Sequence, residues 1–129
     1  MPELPLEIKE VGFDFAWDVN KVWALDLPVT KVERSFLEWH FNIKFLWGKP
    51  DGYYDLTPKQ VIDNPNLYPE EWERTMAADM SYPIDYMWWK GRPLILDGLH
   101  RLMKAHVQQI NPINVREVPP ELKEKILKG

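Results

Sequence analysis

The segment Asp97-Gly98-Leu99-His100-Arg101 places a carboxylate, a glycine and two basic side chains where an apolar run changes to a helical pattern. The start of a helix presents free backbone amides and the positive end of the helix dipole, so it can hold an anion. Glycine lets the backbone approach a phosphate closely, and the arginine fork can donate to two of its oxygens. His100 and Lys104 are four residues apart and share a helical face. The spacing therefore predicts a phosphate-binding loop formed by Gly98, His100, Arg101 and Lys104.

A structural turn explains the same residues equally well. Asp97 can cap the helix, and the glycine can serve the geometry of the turn alone. Basic side chains at a helix start oppose the dipole by ~0.3–1 kcal/mol each, so something must compensate them. Either a bound phosphate or a pairing carboxylate, for which Asp97 is the nearest candidate, meets that need. Spacing alone leaves both interpretations open.

The elements that position this loop follow from the hydrophobic pattern. A hairpin is expected immediately before it, because two strand-like runs flank Lys90-Gly91-Arg92. A capping box at Thr30-Lys31-Val32-Glu33 predicts a helix whose buried stripe runs to Ile43. The predicted strands are 13–17, 22–27, 84–89, 93–96 and 113–118; the predicted helices are 30–43, two turns from 57, 69–83, 99–110 and 119–127; and 47–52 is predicted to be an exposed loop.

These elements predict one α/β (α+β) domain over residues 1–129, a short mixed sheet with flanking helices. The seven tryptophans are expected mainly in its core. The chain has no cysteine, which excludes disulfides, thiolate metal sites and a cysteine nucleophile. Its formal charge of −4 disfavours nucleic acid as a partner. Because we find neither a signal peptide pattern nor an apolar stretch of membrane-spanning length, a cytoplasmic protein is expected.

The string Asp97-Gly98-Leu99-His100-Arg101, followed by Lys104-Ala105, resembles the D-G-x-H-R-x-x-x-A signature of the ParB/sulfiredoxin fold. The resemblance continues in the segments 78–84 and 113–118, so that it covers residues 70–118 in order. Members of that family include partitioning CTPases, sulfiredoxins and free serine kinases, which hold nucleotide phosphate at this loop. The resemblance implies that Gly98, His100 and Arg101 contact phosphate, and that Asp97 orients them or lies near the metal and the acceptor.

The positions at which this sequence differs from the family's signature reduce the number of functions that the resemblance implies. Leu99 stands where sulfiredoxins carry their catalytic cysteine, which excludes sulfinic acid reduction. The loop also lacks the G-E-R-R-like form of the partitioning proteins, and their further DNA-binding helical domain is not expected here. The D-G-x-H-R form is most similar to that of the serine kinases. In those kinases a catalytic glutamate lies roughly where Glu38 and His40 stand here, although a solvated Glu38 and a partly buried His40 explain these residues structurally.

The function predicted from the sequence is therefore binding of a nucleotide, ATP or ADP with CTP as a further candidate, together with Mg²⁺. The enzyme hypothesis is phosphotransfer to a small hydroxyl compound, with His100 and Arg101 on phosphate and Asp97 or Glu38 assisting the acceptor. No residue is assigned as a protein metal ligand. The alternatives are a non-catalytic nucleotide-sensing or protein-interaction module and, third, a DNA-associated protein. Neither the acceptor nor the oligomeric state follows from the sequence.

Overall fold

The computed structural model describes residues 6–12, 15–46 and 54–129. The described helices are α1 (Leu6–Val11), α2 (Val19–Trp23), α3 (Pro58–Asp63), α4 (Pro69–Met76), α5 (Leu99–Val107) and α6 (Lys123–Ile126), with 3-10 helices at Arg34–Phe36, Glu38–Asn42 and Pro120–Leu122. The strands are β1 (Thr30–Val32), β2 (Ile84–Trp89), β3 (Arg92–Asp97) and β4 (Ile113–Glu117). The predicted loop 47–52, and Phe13 and Asp14 of the first predicted strand, lie outside the described residues.

The described strands form one four-stranded mixed sheet in the order β1-β4-β2-β3. Strand β4 runs parallel to β2 and antiparallel to β1, whereas β2 and β3 form the predicted antiparallel hairpin. Lys90 and Gly91, the two turn residues of that hairpin, both have positive φ, 52° and 79°. Two consecutive positive φ angles are typical of the type I′ turn, whose twist matches that of the flanking strands. The predicted α/β class is confirmed.

Helices cover both faces of the sheet, and each face buries its own apolar cluster. The first cluster packs 3-10 segments, α3 and α5 against the sheet, with Leu37, Val61 and Leu102 fully buried. The second cluster joins the opposite face to α2 and α6 through Val22 and Ile126. Strand β2 serves both clusters because successive side chains of a strand point to opposite faces. The sheet is therefore a central layer with an apolar layer on each side.

Two predictions in the first third of the chain are wrong. The predicted strand 22–27 begins instead as helix α2, because the Asp18 carboxylate accepts from the Asn20 amide at 2.9 Å and caps the helix. The predicted helix 30–43 begins instead as strand β1, in which Thr30 lies opposite Val115 of β4. Pairing with β4 thus overrides the local capping signal. Two 3-10 helices take the place of the rest of the predicted helix.

Other elements are confirmed, some with different ends. Helix α3 begins where it was predicted, at a capping box in which Thr57 and Gln60 bond reciprocally. Helix α4 begins at Pro69 as predicted but ends at Met76 instead of extending to residue 83. Helix α5 and strand β4 lie where the pattern placed them. The predicted last helix, 119–127, is a 3-10 turn followed by the short α6. In the described part of the chain, no helix is long and apolar enough to cross a membrane.

Candidate functional site

The turn between β3 and α5 requires glycine at position 98. Gly98 is the N-cap of α5 and has φ of 112°, a backbone conformation that other residues rarely adopt. A Cβ at this position would lie 3.0 Å from Nη1 of Arg101 and 3.1 Å from Cγ1 of Ile84. Backbone geometry and close packing therefore both explain this glycine.

Arg101 is held in place by groups on both sides of the turn. Its Nη1 donates to the Pro83 carbonyl at 2.8 Å, and its Nη2 donates to Oδ2 of Asp97 at 3.3 Å. The same Oδ2 accepts a 2.7 Å hydrogen bond from Nε1 of Trp23, which lies 74 positions earlier in the chain. Asp97 is thus a pairing carboxylate for the basic helix start, one of the two possibilities that the sequence left open, and it also links α2 to the end of β3.

Asp97 and Arg101 line a pocket of about 640 Å³. Its wall is apolar and aromatic, and its charged groups are carboxylates and guanidinium groups. The lining residues are Trp23, Leu27, Val29, Asp79, Tyr82, Pro83, Asp85, Asp97, Arg101 and Arg116. Trp23 and Tyr82 are 54% and 62% exposed, so much of both side chains remains accessible to a ligand. A concave apolar site with a few convergent polar groups is the usual form of a small-molecule site.

Asp85 is a pocket residue that the sequence analysis missed. Tyr86 pairs with Ile95, but the preceding Asp85 pairs with Asp97, so β3 contributes one extra residue at this step. Such a bulge re-aims side chains, and here it brings the two aspartates opposite one another beside the pocket. Burial raises the pKa of Asp85; the hydrogen bond from Arg116 opposes that effect, and the negative charge of Asp97 adds to it. The chain pattern offered no signal for this bulge.

Arg116 of β4 also went unpredicted as a site residue. Its Nε donates to Oδ1 of Asp85 at 2.7 Å, while Nη1 and Nη2 donate to the carbonyls of Leu25 and Val22 at 2.8 and 3.0 Å. These carbonyls lie in the last turn of α2 and just after it. Arg116 therefore links strands β4 and β2 to α2, the helix that carries Trp23.

His100 and Lys104 make their contacts away from the pocket lining. Nε2 of His100 lies 2.8 Å from Oε2 of Glu71 on α4, and Nζ of Lys104 donates to the Ala78 carbonyl at 3.0 Å. Burial by itself raises the pKa of Glu71, but His100 and Arg74 together outweigh it and hold that pKa below its usual value. The predicted cluster is thus divided, because Arg101 faces the pocket and the other two bases face the α4 side.

Glu38 is separate from the turn. Its carboxylate lies 2.6 Å from Nδ1 of His106 and 3.3 Å from Nε of Arg34, whereas the pocket lining does not include it. His106 is five residues beyond Arg101, roughly 8 Å along the helix axis. The structure therefore does not bring Glu38 together with Asp97 and Arg101.

His40, the other sequence candidate on this segment, is only 2% exposed. Its Nδ1 donates to the Leu37 carbonyl at 2.7 Å, and its Nε2 accepts from the Ile95 amide at 3.0 Å. Both ring nitrogens are consequently engaged with the backbone. The expected partly buried histidine is a buried structural one.

The electrostatics of the pocket differ from those of a simple anion site. Three aspartates and two arginines line it, which leaves a formal excess of one negative charge. Each guanidinium already has a carboxylate partner, Asp97 for Arg101 and Asp85 for Arg116. Among the described residues, no group of three or more His, Asp or Glu side chains is arranged to hold a metal ion. The pocket can thus offer hydrogen bonds to an anion only in competition with its own carboxylates.

Comparison of the chain with protein-family models, curated proteins and solved structures found no match. The resemblance of the turn to the ParB/sulfiredoxin signature therefore stays a prediction. The class that the structure itself defines is an α/β domain with a mixed four-stranded sheet and a pocket at the β3–α5 turn.

Proposed function

We propose that the protein binds a nucleotide, as its Mg²⁺ complex, in the pocket beside the β3–α5 turn. The observation that carries this proposal is that Asp97 and Arg101, the first and last residues of the segment 97–101, line one pocket together with two exposed aromatic side chains, Trp23 and Tyr82. Its volume of about 640 Å³ lies within the range of small-molecule sites.

Each part of the pocket suits one part of a nucleotide. Phosphate oxygens would accept from Arg101, which lines the pocket and whose planar guanidinium is fixed by the Pro83 carbonyl. The base would lie against Trp23 or Tyr82, because aromatic side chains stack on any base.

Magnesium is part of the proposal because of the charge of the pocket. A polyphosphate alone would add negative charge to a lining that already has an excess of it. Mg²⁺ usually keeps several waters and binds through substrate phosphates with one or two carboxylates, so a preformed cage of protein ligands is not required. The ion would neutralise phosphate charge as the nucleotide enters.

Two activities are compatible with such binding. In phosphotransfer to a small hydroxyl compound, Asp97 would assist the acceptor, since Glu38 pairs with His106 away from the pocket. Non-catalytic nucleotide sensing is the second candidate. It is favoured by the contacts of Asp97, whose Oδ2 is already bonded to Trp23 and Arg101.

Calorimetric titration of ATP, ADP and CTP with Mg²⁺ tests the binding. We expect one nucleotide to bind, and Arg101→Ala to weaken it about tenfold or more, the loss of a charge-assisted contact worth ~1.5–3 kcal/mol. Lys59→Ala is the matched control, because Lys59 is an exposed cation on α3 that pairs with Asp63 outside the pocket. Absence of binding by the wild type, or equal binding by the folded Arg101→Ala variant, would contradict the proposal.

A screen of hydroxyl compounds separates the two activities. A phosphotransferase should consume nucleotide only when its acceptor is present, whereas a sensor should bind without turnover. A DNA-associated protein, the third candidate, would instead show salt-dependent affinity for a duplex. The formal charge of −4 argues against that outcome.

A further inference from the structure

Asp97 occupies hydrogen-bond donors of the pocket, among them the Arg101 guanidinium that an incoming phosphate would need. Its Oδ2 receives the indole N–H of Trp23 at 2.7 Å and Nη2 of Arg101 at 3.3 Å. Both donors belong to pocket-lining residues. An internal carboxylate therefore holds the position that a bound anion would otherwise fill.

We propose that Asp97 is the specificity-determining residue of the pocket, restricting it to phosphates already chelated by a divalent cation. This inference rests on the proposed nucleotide binding and names the charge state of the ligand. A free phosphate must break the contacts of Asp97 and then remain beside its displaced carboxylate. A chelated phosphate brings positive charge that attracts the same carboxylate. Discrimination of this kind depends on a repulsive element as well as on attractive contacts.

Other carboxylates of the pocket strengthen this discrimination. Asp85 lies opposite Asp97 across the bulge. Asp79 lies at the pocket, and hydrogen bonds from the Ser81 hydroxyl and amide hold its pKa below the usual value. Arg116 offsets Asp85, with which it forms a 2.7 Å ion pair. Of the three aspartates that line the pocket, Asp97 is the one bonded directly to Arg101.

The test compares the wild type with Asp97→Asn, which keeps the size of the side chain and an acceptor oxygen but removes its charge. The probes are inorganic phosphate and the nucleotide that binds in the titration of ATP, ADP and CTP, offered once with EDTA and once with Mg²⁺, each titrated calorimetrically. We expect the wild type to bind that nucleotide only with Mg²⁺. Asp97→Asn should bind inorganic phosphate and the metal-free nucleotide at least about tenfold more tightly than the wild type.

Asp63→Asn is the matched control, since it removes an exposed carboxylate on α3 that pairs with Lys59 outside the pocket. It should leave all three affinities unchanged. If Asp97→Asn does not fold, as judged by circular dichroism, Asp97→Ser removes the same charge and keeps a hydroxyl that can accept from the neighbouring donors.

The outcomes separate this inference from the proposed function. If the wild type binds the Mg²⁺-nucleotide but the neutral variants gain no affinity for free phosphate, the role of Asp97 is overturned and nucleotide binding stands. An equal gain in Asp63→Asn also overturns it, because the effect would then be one of net charge. If neither the wild type nor the variants bind any probe, both proposals fail.

Discussion

Lowering the pH should destabilise the fold through His40. A carbonyl can only accept, so the Leu37 contact requires a proton on Nδ1; an amide can only donate, so the Ile95 contact requires a bare Nε2. A second proton would abolish the bond to Ile95 and place a charge in a site that is 2% exposed. Burial is the main reason that the pKa of His40 falls from 6.5 to about 4, with the charge of Arg92 adding to it and the bond to Leu37 opposing it.

The sign and size of the effect follow from linkage. In the unfolded chain His40 takes up its proton near pH 6.5, whereas in the fold it does so near pH 4, so the unfolded state binds more protons between these values. The folded state is consequently favoured above pH 6.5 and loses that advantage as the pH falls to about 4. At about 1.4 kcal/mol per pH unit, protonation linked to His40 should lower the free energy of unfolding by about 3 kcal/mol across this interval.

The assay is urea unfolding at a series of pH values, for the wild type and for His40→Gln. The variant is less stable at neutral pH, but its free energy of unfolding should fall with acid by about 3 kcal/mol less than that of the wild type. Carboxylates titrate in both proteins, so the difference between the two curves isolates His40. Parallel curves, or an NMR titration of the His40 ring with a midpoint near 6.5, would refute the reasoning.

Two further predictions concern the β3–α5 turn and Asp85, which lines the pocket. Gly98→Ala should lower the free energy of unfolding by about 1–3 kcal/mol in thermal unfolding, because φ at this position is 112° and the new Cβ meets Ile84. Gly91→Ala is the control and should lower it less, because Gly91 also has a positive φ but a Cβ there has nothing within 4 Å. Asp85→Ala should cost about 3–5 kcal/mol in urea unfolding, because it leaves the charge of Arg116 without its partner. An Asp63→Ala control should lose less than about 1 kcal/mol, and similar losses in both aspartate variants would disprove the assigned role of Asp85.

Local signals determined much of the fold. The β2–β3 hairpin, the start of α3 at Thr57 and the start of α5 after Gly98 all depend on residues within a few positions of one another, so the sequence predicted them correctly. The α/β class follows from the same alternation of strand and helix patterns. Asp97 and Arg101 were predicted as site residues for the same reason, since a helix start is itself a local feature.

Tertiary structure decided what depended on distant partners. Thr30 carries a capping signal, but its pairing with Val115 makes it a strand residue. The Arg101, His100 and Lys104 side chains start from one turn of helix, yet Arg101 faces the pocket while the other two contact Glu71 and Ala78. The list of pocket residues came from contacts across the chain: a bulge brings Asp85 opposite Asp97, and Arg116 reaches both Asp85 and the carbonyls at the end of α2. Such contacts leave no periodic trace in the sequence, because they depend on how strands and helices are paired and not on the order of residues within any one of them.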